Sequence, residues 1–174
     1  MKKVDITFLP STKGNYFDDP LIIDWCNKLK DTLDFVNIFV PKNAEEAKIF
    51  LKKSNAAYGA LSEDLIDYCE NIEWLQAPQA APPPDFYYNR LIEHSMTVTN
   101  FRGIYNDHIS HHILAMVLSF SKSLNLYIHQ QSKNLWNPIK SENGSTRYLP
   151  EMKILIIGLG GIGDETARLC SIFG

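Results

Sequence analysis

Short apolar runs alternate with amphipathic stretches along the first hundred positions of the chain. Val4 to Leu9 (VDITFL) reads as a buried strand. Pro20 to Leu33 then places Leu21, Ile22, Trp25, Leu29 and Leu33 at helical spacing, with Pro20 suited to a first helical turn and Asp18-Asp19 before it suited to capping. Phe35 to Val40 (FVNIFV) predicts a second strand, closed by Pro41. Asn43 can cap the next helix, in which Ala44, Ala47, Phe50 and Leu51 make one stripe behind the solvated pair Glu45-Glu46. Ala56 to Leu61 predicts a third strand, and Ser62 with Leu65, Ile66 and Cys69 a short capped helix. Ile72 to Gln76 and Met96 to Thr99 complete a set of five strands.

Strands alternating with helices imply βαβ units and a parallel sheet. Ligands of such sheets bind at the carboxyl ends of the strands. Attention therefore falls on the loops at Pro10 to Lys13, Gln76 to Asp85 and Asn100 to Asp107. A long helix is expected from Asp107 to Gln130. Its apolar residues, from Ile109 to Leu126, surround most of the circumference and call for cover on several sides. Residues 133–150 are polar, with Asn143-Gly144 as a turn.

The balance of charge narrows the function classes. Seventeen Lys and Arg against twenty Asp and Glu give a net charge of −3 among 174 residues, with no basic block, so no nucleic-acid partner and no membrane surface are expected. No apolar run reaches the length of a bilayer span, and Asp5 and Pro10 interrupt the N-terminal apolar stretch. Cys26, Cys69 and Cys170 lie far apart, as free thiols of a cytoplasmic protein do.

Chemistry enters near the C-terminus. Met152 to Ile157 is a β-branched apolar run bounded by Pro150 and Gly158, and it leads into Gly158-Leu159-Gly160-Gly161-Ile162-Gly163 and a helical stretch, Asp164 to Phe173. This is G-x-G-x-x-G at a turn from strand to helix, the setting in which the pattern holds a dinucleotide. Gly158 is expected to permit the tight turn, Gly160 to admit a pyrophosphate, and Gly163 to let helix and strand pack closely. The alternative is a glycine turn kept for packing alone. The acidic residue that grips a ribose should follow by about 20 positions, whereas eleven residues follow Gly163. The chain is therefore expected to be the front portion of a longer enzyme.

Four features in sequence order resemble the D-isomer-specific 2-hydroxyacid dehydrogenase family, which includes glyoxylate/hydroxypyruvate reductases and phosphoglycerate dehydrogenases. They are Ile72-Glu73-Trp74-Leu75-Gln76 before a substrate loop, Thr99 to Tyr105 as a crossover, the long helix from Ile109 followed by Trp136, and the Gly158 to Gly163 fingerprint. The resemblance implies a flavodoxin-like parallel-sheet domain over residues 1–101. Residues 102–174 would then hold the long helix and the first strand-turn-helix of a Rossmann domain. It also implies NAD or NADP as cofactor, a 2-oxo or 2-hydroxy acid as substrate, and a homodimer through helix 107–130.

By the same resemblance, Gly158, Leu159, Gly160, Gly161, Ile162, Gly163 and Ile109 face the cofactor, and Gln79, Ala80, Ala81 and Tyr105 the substrate. The family's catalytic arginine, glutamate and histidine come after the fingerprint, so the polypeptide is expected to be inactive by itself. In the substrate loop Pro82-Pro83-Pro84 offer no N–H to a carboxylate, and the family's usual acidic residue in the long helix's first turn is replaced by His111.

Other residues admit plainer readings. His108, His111 and His112 share a helix face at a spacing compatible with a metal, but no cysteine or carboxylate cluster completes a site beyond Asp107. Asp85-Phe86-Tyr87-Tyr88 reads as core before pocket. Arg102 suits a carboxylate or a surface ion pair equally. The rival to the enzyme reading is a small-molecule-binding or dimerising module of flavodoxin-like fold.

Overall fold

The computed structural model describes residues 3–12, 17–139 and 146–174. Lys13 of the first loop and the Asn143-Gly144 turn lie outside the described residues. The chain divides into two compact units, Met1–Arg102 and Gly103–Gly174.

The first unit is built on five parallel strands: β1 (Val4–Phe8), β2 (Val36–Phe39), β3 (Ala56–Tyr58), β4 (Trp74–Gln76) and β5 (Thr97–Thr99), in the order β2-β1-β3-β4-β5. That is the flavodoxin-like order, with its topological switch between β1 and β3. Three of the five strands, β2, β4 and β5, begin one or two residues inside the expected runs, and β1 and β3 begin where expected but end early. The flanking residues still join the ladder: Leu9 donates to the Tyr58 carbonyl at 2.7 Å and Ala77 to the Thr99 carbonyl at 2.8 Å. Thr7, wholly buried on a central strand, has its hydroxyl 2.8 Å from that of Ser54, so the polar group is satisfied within the core.

Helix α1 (Pro20–Thr32) starts with Pro20 in its first turn and Asp19 as its cap, whose carboxylate accepts from the Leu21 N–H at 2.9 Å. Its buried stripe runs through Ile22 and Cys26, whereas Leu21 and Trp25 face outward. Asn43 caps α2 (Ala44–Leu51), accepting from the Glu46 N–H at 2.9 Å, and Ala47 and Leu51 enter the core. The helix expected after Ser62 is instead a 3₁₀ turn, Glu63–Tyr68, with no side-chain cap. Six residues make few i→i+4 bonds, and the tighter winding suits so short a piece. Leu65, Ile66 and Cys69 nevertheless pack with Leu9, Leu51, Leu61 and Leu75 in one core, as their spacing requires.

Pro84 opens another 3₁₀ turn, Pro84–Phe86, which drives Phe86 into that core, and the short α3 (Asn89–Ile92) adds Leu91 to it. Tyr87 meets Phe86 edge-on at 5.2 Å. Of the aromatic cluster, Phe86 thus supplies core and Tyr88 packs against it, while Tyr87 stays exposed.

The second unit departs from the expectation twice. The helix expected over 107–130 is two helices, α4 (Asn106–Ser121) and α5 (Leu124–Ser132), separated by Ser123 in the left-handed region at φ +56°. At the break the Ser121 carbonyl accepts the Arg147 N–H at 2.7 Å, and the Ser123 N–H turns back to the Phe120 carbonyl at 3.1 Å. Serine hydroxyls compete with the helical ladder in this way: Ser121 Oγ donates to the Leu118 carbonyl at 3.0 Å.

The second departure is the run Met152 to Ile157. Among the described residues it lies in no strand and pairs with none, and Leu155 and Ile157 stay 85% and 92% exposed. A strand exists only with a partner for its N–H and C=O groups. Helix α6 (Gly161–Cys170) follows.

Candidate functional site

The glycine-rich turn between Ile157 and α6 owes its shape to absent side chains. Gly158 sits at φ +94°, a conformation that costs an L-residue about 1–2 kcal/mol. A β-carbon on Gly163 would collide with the carbonyl oxygen of Gly158, so the chain entering the turn lies directly against the first turn of α6. A β-carbon on Gly160 would meet nothing within 4 Å. The three glycines therefore have separate physical roles, and the middle one leaves open space.

That space adjoins unspent donors. Gly160 is the N-cap of α6 and has no side chain to bond the first-turn amides. The first intrahelical bond runs from the Asp164 N–H to the Gly160 carbonyl at 2.9 Å, which leaves the amides of Gly161, Ile162 and Gly163 ahead of it. Leu159 points away, 73% exposed. A helix start with free N–H groups and its positive dipole end suits an anion.

The first turns of α4 and α6 are joined by a buried hydroxyl node. Ser110 Oγ lies 2.6 Å from the Asn106 carbonyl and 3.1 Å from the Ile162 carbonyl, and Thr166 Oγ1 donates to the Ile162 carbonyl at 2.7 Å. Ser110 and Thr166 are buried, so the node fixes the fingerprint to α4 in a dry setting where such bonds are strong. Asn106 lies directly over Gly161: a β-carbon there would fall on the Asn106 amide, 2.8 Å from Cγ and 2.9 Å from Oδ1. Tyr105 and Ile109 stand one turn apart at the start of α4, both partly exposed, with the Ile109 N–H on the Tyr105 carbonyl at 3.0 Å. Sequence reasoning placed Ile109 here but passed over Asn106, Ser110 and Thr166. Their signal was two hydroxyls and an amide on helix faces otherwise expected to be apolar.

Gln79, Ala80 and Ala81 belong to the first unit, in the bend that follows β4. The Gln79 amide nitrogen donates to the Ser11 carbonyl at 3.0 Å, tying the loop after β4 to the loop after β1, while its buried Oε1 has no partner among the described residues. The Gln79 carbonyl accepts the Phe101 N–H at 3.4 Å. Among the described residues, the backbone N–H groups of Gln79, Ala80 and Ala81 meet no acceptor. They are the donors this loop retains before the prolines.

Burial pushes the Cys26 thiol up to about 11 and the Cys69 thiol up to about 12, which keeps both protonated and unreactive. Burial likewise raises the Tyr88 phenol. Arg168 holds the Glu165 carboxylate in a two-pronged exposed pair, 2.8 and 2.7 Å, and lowers its pKa. Among the described residues no group of three His, Cys, Asp or Glu side chains converges as a metal site, the α4 histidines included.

Fold and turn together define an α/β protein whose second unit carries a G-x-G-x-x-G turn at the start of α6. Known structures share the fold. The chain is similar to a D-isomer specific 2-hydroxyacid dehydrogenase family protein from Aeromonas salmonicida, at a TM-score of 0.74 and 22% identity, covering 100% of this chain and 52% of that one. It is similar to a D-lactate dehydrogenase from Treponema pallidum, at 0.70 and 20%, over 97% of this chain and 50% of that one. It is also similar to a D-lactate dehydrogenase from Aquifex aeolicus complexed with NAD and lactic acid, at 0.61 and 20%, over 97% and 49%. The chain thus spans about half the length of the solved chains it matches. No family model and no curated protein matches it.

Proposed function

We propose that this chain carries the substrate-side domain and the opening of the cofactor domain of an NAD(P)-dependent D-2-hydroxyacid dehydrogenase. The observation that carries the reading is the turn at Gly158 to Gly163, with a left-handed entry, an open middle and a close helix contact. Similarity to D-isomer dehydrogenases over the whole chain supports it. The residues present suit a dinucleotide diphosphate: Gly160 leaves room, and the amides of Gly161, Ile162 and Gly163 donate. When bound, NAD(P)H supplies the hydride that reduces a 2-oxo acid to a 2-hydroxy acid.

The chain's own residues then have binding roles. Leu159 and Ile109 offer apolar contact to the cofactor, the amides of Gln79, Ala80 and Ala81 hold the substrate carboxylate, and Tyr105 approaches the substrate. By itself the 174-residue polypeptide binds cofactor but does not turn over, because the family's arginine, glutamate and histidine are not among these residues. The apolar surface of α4 and α5, with Met116, Phe120 and Ile128 exposed, supports a homodimer through this region. A cytoplasmic location accords with the acidic balance and the free thiols.

The test is an NADH titration of the purified chain, followed by addition of glyoxylate or hydroxypyruvate. Saturable quenching of protein fluorescence without NADH consumption is expected. No binding overturns the dehydrogenase reading, and turnover at ordinary enzyme rates overturns the inactivity of the isolated polypeptide.

A further inference from the structure

Gly161 lacks a side chain in a turn where neither an opposing backbone nor a left-handed φ requires its absence. The space its β-carbon would take is filled by the side-chain amide of Asn106, with Nδ2 the nearest atom. Among the described residues that amide makes no hydrogen bond, although it is only partly exposed. Its backbone is held in place: the Asn106 carbonyl accepts from Ser110 Oγ at 2.6 Å, and the same hydroxyl lies 3.1 Å from the Ile162 carbonyl of the glycine turn. An N–H donor pair is thus carried by one helix to the open start of another, beside the amides of Gly161 and Ile162.

We infer that the Asn106 side-chain amide is a direct hydrogen-bond donor to the diphosphate bound at the start of α6, supplied by α4 into the space that Gly161 vacates. The inference rests on the dinucleotide reading above and adds a residue to it. A phosphate oxygen at the α6 amides accepts several donors at once, and bonds from neutral donors to a charged acceptor are the stronger kind. Gly161 serves this arrangement by standing aside.

Two variants separate a binding role from a structural one. Asn106→Asp keeps the shape and puts a carboxylate at the starts of two helices, where negative charge favours the unliganded fold, yet it repels a diphosphate. Gly161→Ala keeps Asn106 but displaces its amide, at small cost because that end of the side chain can swing away. The experiment is an amide-resolved NMR titration of the 174-residue chain and both variants with inorganic pyrophosphate, together with their unliganded unfolding midpoints.

The expected result for the unaltered chain is that the backbone amides of Gly161, Ile162 and Gly163 and the Asn106 side-chain NH₂ signals shift together along one saturation curve. Both variants are expected to bind about tenfold more weakly, with unfolding midpoints equal to or above that of the unaltered chain. If the backbone amides shift but the Asn106 NH₂ signals do not, or if Asn106→Asp binds equally well, the inference falls while the anion site stands. If no amide shifts, the dinucleotide reading falls and the inference falls with it. Weaker binding only in step with lower midpoints would make Asn106 structural, and would overturn the inference as well.

Discussion

The carbonyl oxygen of Gly158 occupies the place where a side chain on Gly163 would begin. Both groups are backbone, so neither can rotate away, and an added methyl must push the chain off the first turn of α6. Gly163→Ala is therefore expected to destabilise the second unit by about 1–3 kcal/mol, the range for overpacking at a tight contact. Urea unfolding followed by circular dichroism measures it, and a loss below about 0.5 kcal/mol would mean that the close approach does not exist. The separate roles of Gly158 and Gly163 were legible in the sequence because chemistry leaves few reasons for glycine at those offsets between a β-branched run and a helix. The node of Ser110 with Thr166 was not. Each is an ordinary residue on its own helix, and only the packing of α4 on α6 makes partners of residues 56 positions apart.

Among the elements, the five strands could be read from short apolar runs alternating with amphipathic stretches, and caps such as Asn43 from their type and place. The break between α4 and α5 resisted that reading, since Ser121-Lys122-Ser123 contains neither Gly nor Pro and apolar residues keep a helical period on both sides. What ends α4 is tertiary: the Arg147 N–H takes the Ser121 carbonyl from a distant part of the chain. Ser123 then accepts a left-handed conformation, and among the described residues its buried Oγ has no partner. Replacing it by glycine removes both penalties. Ser123→Gly is expected to stabilise the second unit by about 1 kcal/mol, read as a higher midpoint in urea. A lower midpoint would show the two helices to be one. The run Met152 to Ile157 makes a related point. Its composition suits a strand, but composition does not supply the neighbour that a strand requires.

At the scale of the whole molecule, the two units differ in how well they cover themselves. The first has a closed core around Leu51, Leu61, Leu75 and Phe86. The second leaves large apolar residues exposed along α4, α5 and the segment before the glycine turn, including Phe120 and Leu155. An apolar hollow of about 260 Å³ lies within it, lined by residues such as Leu114, Leu118, Ile154 and Phe173. Exposed apolar surface of this kind promotes association in water. The purified chain should therefore scatter light as a dimer or larger species at micromolar concentration, and a monodisperse monomer would contradict the homodimer proposal.

The proposed cofactor site depends most on the open middle of the glycine turn, and one comparison probes that space alone. At Gly160 an added methyl meets no neighbour, and the backbone is ordinary extended chain, φ −84° and ψ −173°. Gly160→Ala should therefore leave the unfolding midpoint of the unliganded chain within about 0.5 kcal/mol of the original, the usual range away from packing contacts. The same methyl would stand where a diphosphate must approach. The deciding measurement is the NADH dissociation constant of the chain and of Gly160→Ala, taken side by side. Saturable binding that weakens at least tenfold in the variant, with stability unchanged, is the predicted result. Equal affinity in the two proteins, or no NADH binding by the unaltered chain, would contradict it.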